Sequence, residues 1–320
     1  MTKENFRIVF MGTPEFAVAT LRLLVEKEYN VVSVVTMPDK AAGRGHKIQQ
    51  SDVKKYALSQ NLPLLQPEKL RDEEFLDKLK ALNADLNIVV AFRMLPEVVW
   101  SMPKHGTYNL HGSLLPQYRG AAPINWAIIN GEKETGVTTF KLVHEIDSGS
   151  IAFQSKVEID DTDNAGIIHD KLMHQGAQLV LKTVDAIIDG SITLTAQDIE
   201  TESLIPAPKI FKDTCKINWS LTAQEINNFI RGLSPYPTAH TTLERDDDQN
   251  INIKIFEAQP ILQEHDFPFG TIVQPNSSQL FIAALNGFMN ILELQVQGRK
   301  RMNASDFLNG FTFQESDIFK

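Results

Sequence analysis

The fold is decided near the N-terminus by the stretch FRIVFMGTPEFAVATLRLLV, residues 6–25. It opens with a mostly apolar run that is typical of a buried β-strand, and Gly12 ends that run. Thr13 then predicts a helix N-cap, with Pro14 at the first helical position and Glu15 in the first turn. Apolar side chains follow at helical spacing, at Phe16, Val18, Leu21, Leu24 and Val25. The stretch therefore predicts a strand that turns directly into a helix.

Further strand and helix patterns alternate through the first third of the chain. The stretches 30–36 and 84–90 are nearly continuously apolar and predict buried strands, with a short strand at 62–65. Helical patterns lie at 51–61 and 72–82. Apolar strands that alternate with helices are typical of a parallel sheet covered on both faces. We therefore expect a doubly wound α/β domain with a mostly parallel, Rossmann-like sheet.

The middle of the chain completes this domain. Strand patterns lie at 135–142 and 151–159, and a long helical pattern runs from about 164 to 189. The stretch 191–208 is polar and ends in Pro206-Ala207-Pro208, which is typical of a connection between domains. We expect this α/β domain to occupy 1–190 and a linker to follow at 191–208.

The last part of the chain, 209–320, predicts a small antiparallel barrel. A capping box formed by Thr222 and Glu225 starts a helix that ends near Gly232. Short strand patterns follow at 239–244, 251–258, 270–273, 279–284 and 287–296. Short strands separated by turn signals at this spacing are typical of such a barrel.

Composition excludes several classes of protein. The chain has 320 residues, 42% of them hydrophobic and 22% charged, as in globular proteins. Its formal net charge of −9 argues against a surface that is basic throughout, as in proteins that bind nucleic acid non-specifically. Cys215 is the only cysteine, so neither an intramolecular disulfide nor a Cys₂His₂ zinc site is possible. The charged N-terminus and the shortness of apolar runs such as 88–92 predict a cytoplasmic protein without a signal peptide or membrane span.

A polar pair stands in the stretch NLHGSLLP, residues 109–116. Asn109 and His111 are two residues apart, so on a strand their side chains leave the same face. A Gly- and Pro-rich loop follows, and Asp147 offers a carboxylate that would complete the set. Such a set suits acyl transfer between nitrogens: the amide and a protonated imidazole stabilise an oxyanion, and the carboxylate holds the imidazole and takes up the amine proton. The alternative stays open that Asn109 ends a strand, His111 binds a carbonyl and Asp147 caps a turn.

Two other features bear on ligands. The turn at Gly12 lacks the further glycines of a Gly-x-Gly-x-x-Gly motif, which argues against dinucleotide binding. The loop 38–47 is basic and contains Gly43-Arg44-Gly45, which suits contact with a nucleic acid, and a solvated surface loop is the alternative. The basic cluster 299–301 is typical of a solvated turn.

Together these motifs resemble those of the methionyl-tRNA formyltransferases, and the resemblance covers nearly the whole chain. It rests on residues 11–18, 38–45, 109–116, 119–123 and 135–149. It implies a folate-dependent N-formyltransferase that consumes 10-formyltetrahydrofolate as a co-substrate and acts on initiator methionyl-tRNA in translation initiation. It further implies that no metal is needed, that the protein is a monomer and that the second domain is an OB-like antiparallel barrel that supports the tRNA.

The resemblance also implies roles for individual residues that match the family's motifs. Domain 1–190 is expected to be the catalytic domain, with catalysis from Asn109, His111 and Asp147. The folate site is expected at Ser113, Leu114, Leu115 and Pro116, with Arg93, Met94 and Leu95 lining it. Contact with tRNA is expected from Lys40, Arg44, His46 and Lys47.

The sequence departs from the family pattern at three places. Lys40-Ala41 stands where a basic residue followed by proline is expected, and AFRMLP at 91–96 replaces an aromatic-glycine pattern, so that Arg93 either contacts the folate ring or fills space. An acidic run at 246–248 lies in the domain expected to support tRNA. Other formyltetrahydrofolate enzymes share the catalytic motif. A sugar-nucleotide N-formyltransferase and a non-catalytic folate- or RNA-binding protein are therefore the alternatives, and the Gly43-Arg44-Gly45 loop favours tRNA.

Overall fold

The computed structural model describes residues 2–42, 47–197, 204–245 and 250–320. The chain divides into two compact units. The first comprises Met1–Gly120, Thr135–Val157 and His169–Pro206, and the second comprises Ala121–Glu134, Glu158–Ile168 and Ala207–Lys320. Part of the predicted linker, 198–203, and the acidic run 246–248 lie outside the described residues. The expected boundaries at 190 and 209 stay predictions.

The strands are, in chain order, β1 (Ile8–Gly12), β2 (Val31–Val35), β3 (Lys40–Ala42), β4 (Lys47–Gln49), β5 (Leu64–Leu65), β6 (Leu86–Val90), β7 (Thr107–His111), β8 (Arg119–Gly120), β9 (Glu134–Lys141), β10 (Ile151–Glu158), β11 (Pro206–Ala207), β12 (Ala239–Glu244), β13 (Ile251–Ile261), β14 (Ile272–Val273), β15 (Leu280–Ala284), β16 (Gly287–Val296), β17 (Met302–Asn303) and β18 (Ile318–Phe319). The α-helices are α1 (Glu15–Glu26), α2 (Asp52–Ser59), α3 (Glu73–Ala81), α4 (Glu97–Trp100), α5 (Pro123–Ile129), α6 (Ala165–Asp189), α7 (Ala223–Leu233) and α8 (Ala304–Asn309), and a 3-10 helix spans Lys212–Cys215.

The first unit is built on a sheet with the strand order β10-β9-β7-β6-β1-β2-β5. The strands from β7 to β5 run parallel to their neighbours, whereas β9 is antiparallel to β7. Val9 and Met11 of β1 pack with Phe75 and Leu79 of α3 on one face. Because side chains alternate along a strand, Phe10 lies on the other face, where it is fully buried. The predicted mostly parallel sheet with both faces covered is therefore confirmed.

The turn from β1 into α1 differs by one residue from the prediction. Pro14 rather than Thr13 is the N-cap, and α1 begins at Glu15. The Thr13 hydroxyl caps nothing and is buried without a hydrogen-bond partner among the described residues. A Cβ atom on Gly12 would lie 2.6 Å from the Cβ atom of Ala17. The helix thus approaches the strand so closely that the turn leaves no room for a side chain at Gly12.

The second unit contains a sheet with the strand order β14-β15-β16-β13-β12-β18, in which the neighbours run antiparallel. An antiparallel bridge between Thr271, just before β14, and Ile318 of β18 brings the two ends of this sheet together. The predicted antiparallel barrel is therefore confirmed and is nearly closed. The predicted capping box is also present: Thr222 Oγ1 accepts from the Glu225 N–H at 3.2 Å, and the Glu225 carboxylate accepts from the Thr222 N–H at 2.9 Å.

An apolar cluster forms the core of this barrel. Its buried members include Trp219, Ile230, Ile255, Leu294 and Phe319. Each unit thus has a hydrophobic core of its own. In the parts of the chain that the structure describes, no helix is both long enough and apolar enough to cross a bilayer.

Candidate active site

The predicted polar pair lies on β7, between β6 and β9 in the sheet of the first unit. Asn109 is paired with Phe140 of β9, and His111 is paired with Thr138. His111 is only 6% exposed, whereas Asn109 is half-buried. Both stand at the C-terminal end of a strand that is parallel to β6, which is where α/β sheets place their ligand sites.

The two ring nitrogens of His111 have different surroundings. Nε2 lies 2.9 Å from the backbone carbonyl oxygen of Tyr118. Because a carbonyl oxygen only accepts, Nε2 carries a proton and donates it. Nδ1 lies 3.9 Å from Oδ2 of Asp147, and both side chains are largely buried. The nitrogen available for chemistry is therefore Nδ1, and it faces a carboxylate.

Asp147 lies in the turn between β9 and β10 with an unusual backbone. Its φ angle is 51°, in the left-handed region that side-chain-bearing residues seldom adopt. Its Oδ2 atom, which faces His111, also accepts a hydrogen bond from the Gly120 N–H at 3.1 Å. A Cβ atom on Gly149 would lie 1.7 Å from the Lys141 carbonyl oxygen, so the turn also requires a glycine. The carboxylate is thus held by the backbone of Gly120, and the turn that carries it packs closely on Lys141.

Asn109 supplies the third polar group. Its half-buried side-chain amide makes no hydrogen bond to any of the residues that the structure describes. An amide N–H, a ring nitrogen and a carboxylate are thus present at one strand end and its neighbouring turn. This combination can stabilise an oxyanion and accept a proton. The structure brings His111 and Asp147 together as expected, and the catalytic roles stay predictions.

The loop after β7 is held by hydrogen bonds of its own. Ser113 Oγ donates to the Gln117 carbonyl at 2.7 Å, so this hydroxyl serves the loop. Thr138 Oγ1 donates to the Ser113 carbonyl at 2.7 Å and accepts from the Leu115 N–H at 3.1 Å. Leu115 is buried. The other predicted folate residues of this loop are half-buried: Leu114 and Pro116. The loop is therefore ordered, as predicted, and its contact with folate stays a prediction.

The segment after β6 places its predicted residues in three different environments. The Arg93 guanidinium donates to the Glu68 carbonyl at 2.8 Å and also to the Pro67 carbonyl. Partial burial lowers the pKa of Arg93. Met94 is 74% exposed, whereas Leu95 is buried in the apolar cluster on one face of the sheet. The guanidinium is therefore bound to backbone carbonyls of this unit, and both roles considered for Arg93, a folate contact and filling space, stay predictions.

The basic loop is only partly described. Lys40 is exposed on β3, and Lys47 begins β4, with which β3 pairs antiparallel. Arg44 and His46 lie outside the described residues. At the base of this ribbon, the Lys54 ammonium lies 2.7 Å from the Asp39 carboxylate and, with a hydrogen bond from Gln66, lowers the pKa of that carboxyl. The ribbon is therefore attached at Asp39, and its contact with tRNA stays a prediction.

Sequence reasoning did not select three residues that hold the site. Tyr118 orients His111 through its backbone carbonyl, and Thr138 ties the loop after β7. Gln197 binds the turn that carries Asp147, although it lies in the stretch expected to be a linker. No local spacing links Gln197 to Asp147, fifty residues earlier. The one available signal in the sequence was an amide side chain, that of Gln197, in a stretch to which no role had been assigned.

Comparisons with known proteins agree with this architecture. The profile of the formyl transferase family matches residues 6–184, and the profile of the formyl transferase C-terminal domain matches residues 209–312. The chain is 56% identical to the methionyl-tRNA formyltransferase of Bacteroides thetaiotaomicron, over 98% of each chain. It is 51% identical to the protein of the same name from Flavobacterium johnsoniae, again over 98% of each.

Solved structures share the fold at much lower identity. An N-formyltransferase from Helicobacter canadensis, solved with folinic acid and dTDP-3-aminofucose, is 20% identical with a TM-score of 0.65 over 93% of this chain and 100% of that chain. HypX from Aquifex aeolicus, solved with tetrahydrofolic acid, is 17% identical with a TM-score of 0.62 over 94% of this chain and 46% of that chain. The expected family is confirmed, and the structural similarity extends through both units.

Proposed function

The chain belongs to the methionyl-tRNA formyltransferase family, and on that premise we propose that it transfers the formyl group of 10-formyltetrahydrofolate to the free amino group of initiator methionyl-tRNA. The observation that carries this proposal is the 51% to 57% identity to enzymes of that name over 97% or more of the chain. The sugar N-formyltransferases of known structure share only the fold with this chain, at 20% and 21% sequence identity. Initiation of translation places the reaction in the cytoplasm.

The reaction begins when the amino nitrogen of the methionyl group attacks the formyl carbon and forms a new C–N bond. The formyl oxygen becomes an oxyanion, to which the Asn109 amide and the Nδ1–H of a doubly protonated His111 donate. The Tyr118 carbonyl keeps Nε2 of His111 occupied, so Nδ1 is the nitrogen that acts. The Asp147 carboxylate, 3.9 Å from Nδ1, offsets the positive charge of the imidazolium.

The reaction ends when the bond between the formyl carbon and N10 of the folate breaks. The former amine nitrogen carries an extra proton, which Asp147 takes up directly or through one water molecule. N10 of the folate leaves with the bonding electron pair and gains a proton. The products are formylmethionyl-tRNA and tetrahydrofolate, and the net proton transfer is from the amine to N10.

The other predicted residues bind and position the two substrates. Ser113 to Pro116 shape the folate site, and the segment from Arg93 to Leu95 borders it after β6. Lys40, Arg44, His46 and Lys47 contact the acceptor end of the tRNA, and the barrel supports the rest of it. OB-type barrels commonly bind nucleic acid, which supports this division of roles. We expect the enzyme to act as a monomer.

The test is formyl transfer from 10-formyltetrahydrofolate, measured in parallel with methionyl-initiator tRNA, an amino-sugar nucleotide and no acceptor. We expect formylation of the tRNA alone. Formylation of the amino-sugar nucleotide would instead identify a sugar N-formyltransferase. Folate binding without turnover in every arm would identify a binding protein.

Arg44→Ala tests the role of the basic loop. We expect the KM for methionyl-tRNA to rise by about tenfold, because one positive charge near the phosphate backbone is lost. The KM for 10-formyltetrahydrofolate stays unchanged. Lys27→Ala, at an exposed lysine after α1, is the matched control. If the KM for both substrates rises in Arg44→Ala, the loop belongs to the folate site instead.

A further inference from the structure

We propose that Gln197 is a positioning residue that holds the Asp147 carboxylate against His111, a role that rests on the proposed formyl transfer. Gln197 is only 8% exposed and follows α6 in the chain. It touches the backbone of the catalytic turn rather than any reacting group. The inference depends on both ends of its side-chain amide.

The nitrogen of this amide binds the turn that carries Asp147. Gln197 Nε2 donates to the Asp147 carbonyl at 2.8 Å and to the Gly149 carbonyl at 2.8 Å. Both N–H groups of the amide are therefore used, and they bind carbonyls on either side of Ser148. Asp147 keeps a left-handed backbone with φ of 51°, which has to be held by its surroundings. Two hydrogen bonds from one buried side chain provide such a hold.

The oxygen of the amide binds a different segment. Gln197 Oε1 accepts from Arg119 Nε at 3.1 Å and also from the same guanidinium's Nη2. A guanidinium only donates and the two turn carbonyls only accept, so the amide has a single orientation that satisfies every partner. Gln197 is thus a bridge between Arg119 and the turn 147–149.

Arg119 stands between the two backbone groups that hold the catalytic pair. Its neighbour Tyr118 accepts the hydrogen bond from His111 Nε2, and its other neighbour Gly120 donates to Asp147 Oδ2. Gln197 therefore joins the segment 118–120 to the catalytic turn along a second route. With both routes intact, the distance between the Asp147 carboxylate and His111 Nδ1 is 3.9 Å. Loss of the Gln197 bridge leaves the Gly120 N–H as the contact that holds Asp147 to this segment, so we expect the distance between the carboxylate and the ring to vary more widely.

Gln197→Met tests the bridge, because methionine has a similar length and neither donates nor accepts as an amide does. We expect kcat for formylation of methionyl-tRNA to fall by about 10- to 100-fold, as is usual when the support of a reacting group is removed. The KM for each substrate should stay within about twofold. Gln175→Met is the matched control, since this exposed glutamine on α6 bonds only to Ser155 Oγ among the described residues. It should leave kcat unchanged.

A double-mutant cycle with Asp147→Asn separates positioning from a merely structural role. If Gln197 acts through the Asp147 carboxylate, the double variant is no slower than Asp147→Asn alone. If Gln197 supports the fold in general, the two losses multiply. Multiplied losses, or a kcat of Gln197→Met within threefold of wild type, would overturn the proposal.

A readout without turnover keeps this inference separate from the proposed function. In protein whose histidine ring nitrogens are isotopically labelled, the NMR signals of the His111 ring report its contact with Asp147. The variant His111→Gln identifies these signals by their loss. We expect Gln197→Met to move the Nδ1 signal in the same direction as Asp147→Asn does, while Gln175→Met leaves it in place. An unmoved signal refutes the bridge. A wild-type protein that does not formylate methionyl-tRNA refutes the proposed function but leaves this spectroscopic test intact.

Discussion

Replacing Asp147 by asparagine removes one negative charge from the site and keeps the shape of the side chain. The amide oxygen of Asn can still accept from the Gly120 N–H, which the carboxylate now binds at 3.1 Å. The backbone contacts of Gln197 with the turn are untouched by the change. The variant therefore reports the charge and basicity of Asp147 rather than its packing.

The expected loss follows from the separation of the two charges. Asp147 Oδ2 lies 3.9 Å from His111 Nδ1, with the side chains 14% and 7% exposed. At that distance, with an effective dielectric constant of about 20, opposite charges attract by about 4 kcal/mol. At about 1.4 kcal/mol per factor of ten, the full interaction in the transition state corresponds to about 10³-fold in rate. Residual exposure and a replacing water reduce this, so we expect kcat to fall by about 10²- to 10³-fold.

The measurement is single-turnover formylation of methionyl-tRNA at saturating 10-formyltetrahydrofolate. Folate affinity by fluorescence titration and the melting temperature should match those of the wild type. A rate within threefold of wild type, with both controls unchanged, would refute the role of the Asp147 charge. A parallel loss of folate affinity would mean that Asp147 belongs to the binding site instead.

Two stability predictions follow from other contacts. Gly136→Ala places a Cβ atom 2.3 Å from the Ser155 carbonyl oxygen, so we expect the free energy of unfolding by urea to fall by about 1–3 kcal/mol. Gly310→Ala is the control and should cause no loss, because its Cβ meets no atom within 4 Å. Equal urea midpoints for the two variants would contradict the packing argument. The Lys54 ammonium lowers the pKa of Asp39, so this pair stabilises the protein above the unfolded pKa of about 3.9 and loses that effect as the pH falls through the lower folded pKa. Asp39→Asn should therefore lower the melting temperature at neutral pH, and the difference from the wild type should disappear in acid. A difference in melting temperature that is constant with pH would show that the ion pair is not its cause.

Local sequence patterns predicted most elements of the fold. The apolar run at 6–11 and the alternation that follows it predicted the parallel sheet, and the capping box at Thr222 predicted the start of α7, because both depend on neighbouring residues. The predicted start of α1 was wrong by one residue, because Pro14 itself has the extended backbone of an N-cap instead of the first helical conformation. The strand β18 was not predicted, because its two residues are too few to show a period.

The sequence by itself determined that Asn109 and His111 share one face of a strand end and that Asp147 follows in a turn. It left open whether these residues form a site or only end their elements. The tertiary structure decided that His111 Nε2 is occupied by the Tyr118 carbonyl, that Nδ1 faces Asp147 at 3.9 Å, and that Gln197 holds the turn from fifty residues away. Periodicity reports which face of an element avoids water, a property of adjacent residues. Hydrogen bonds between distant segments depend on how the whole unit packs, and no local pattern records them.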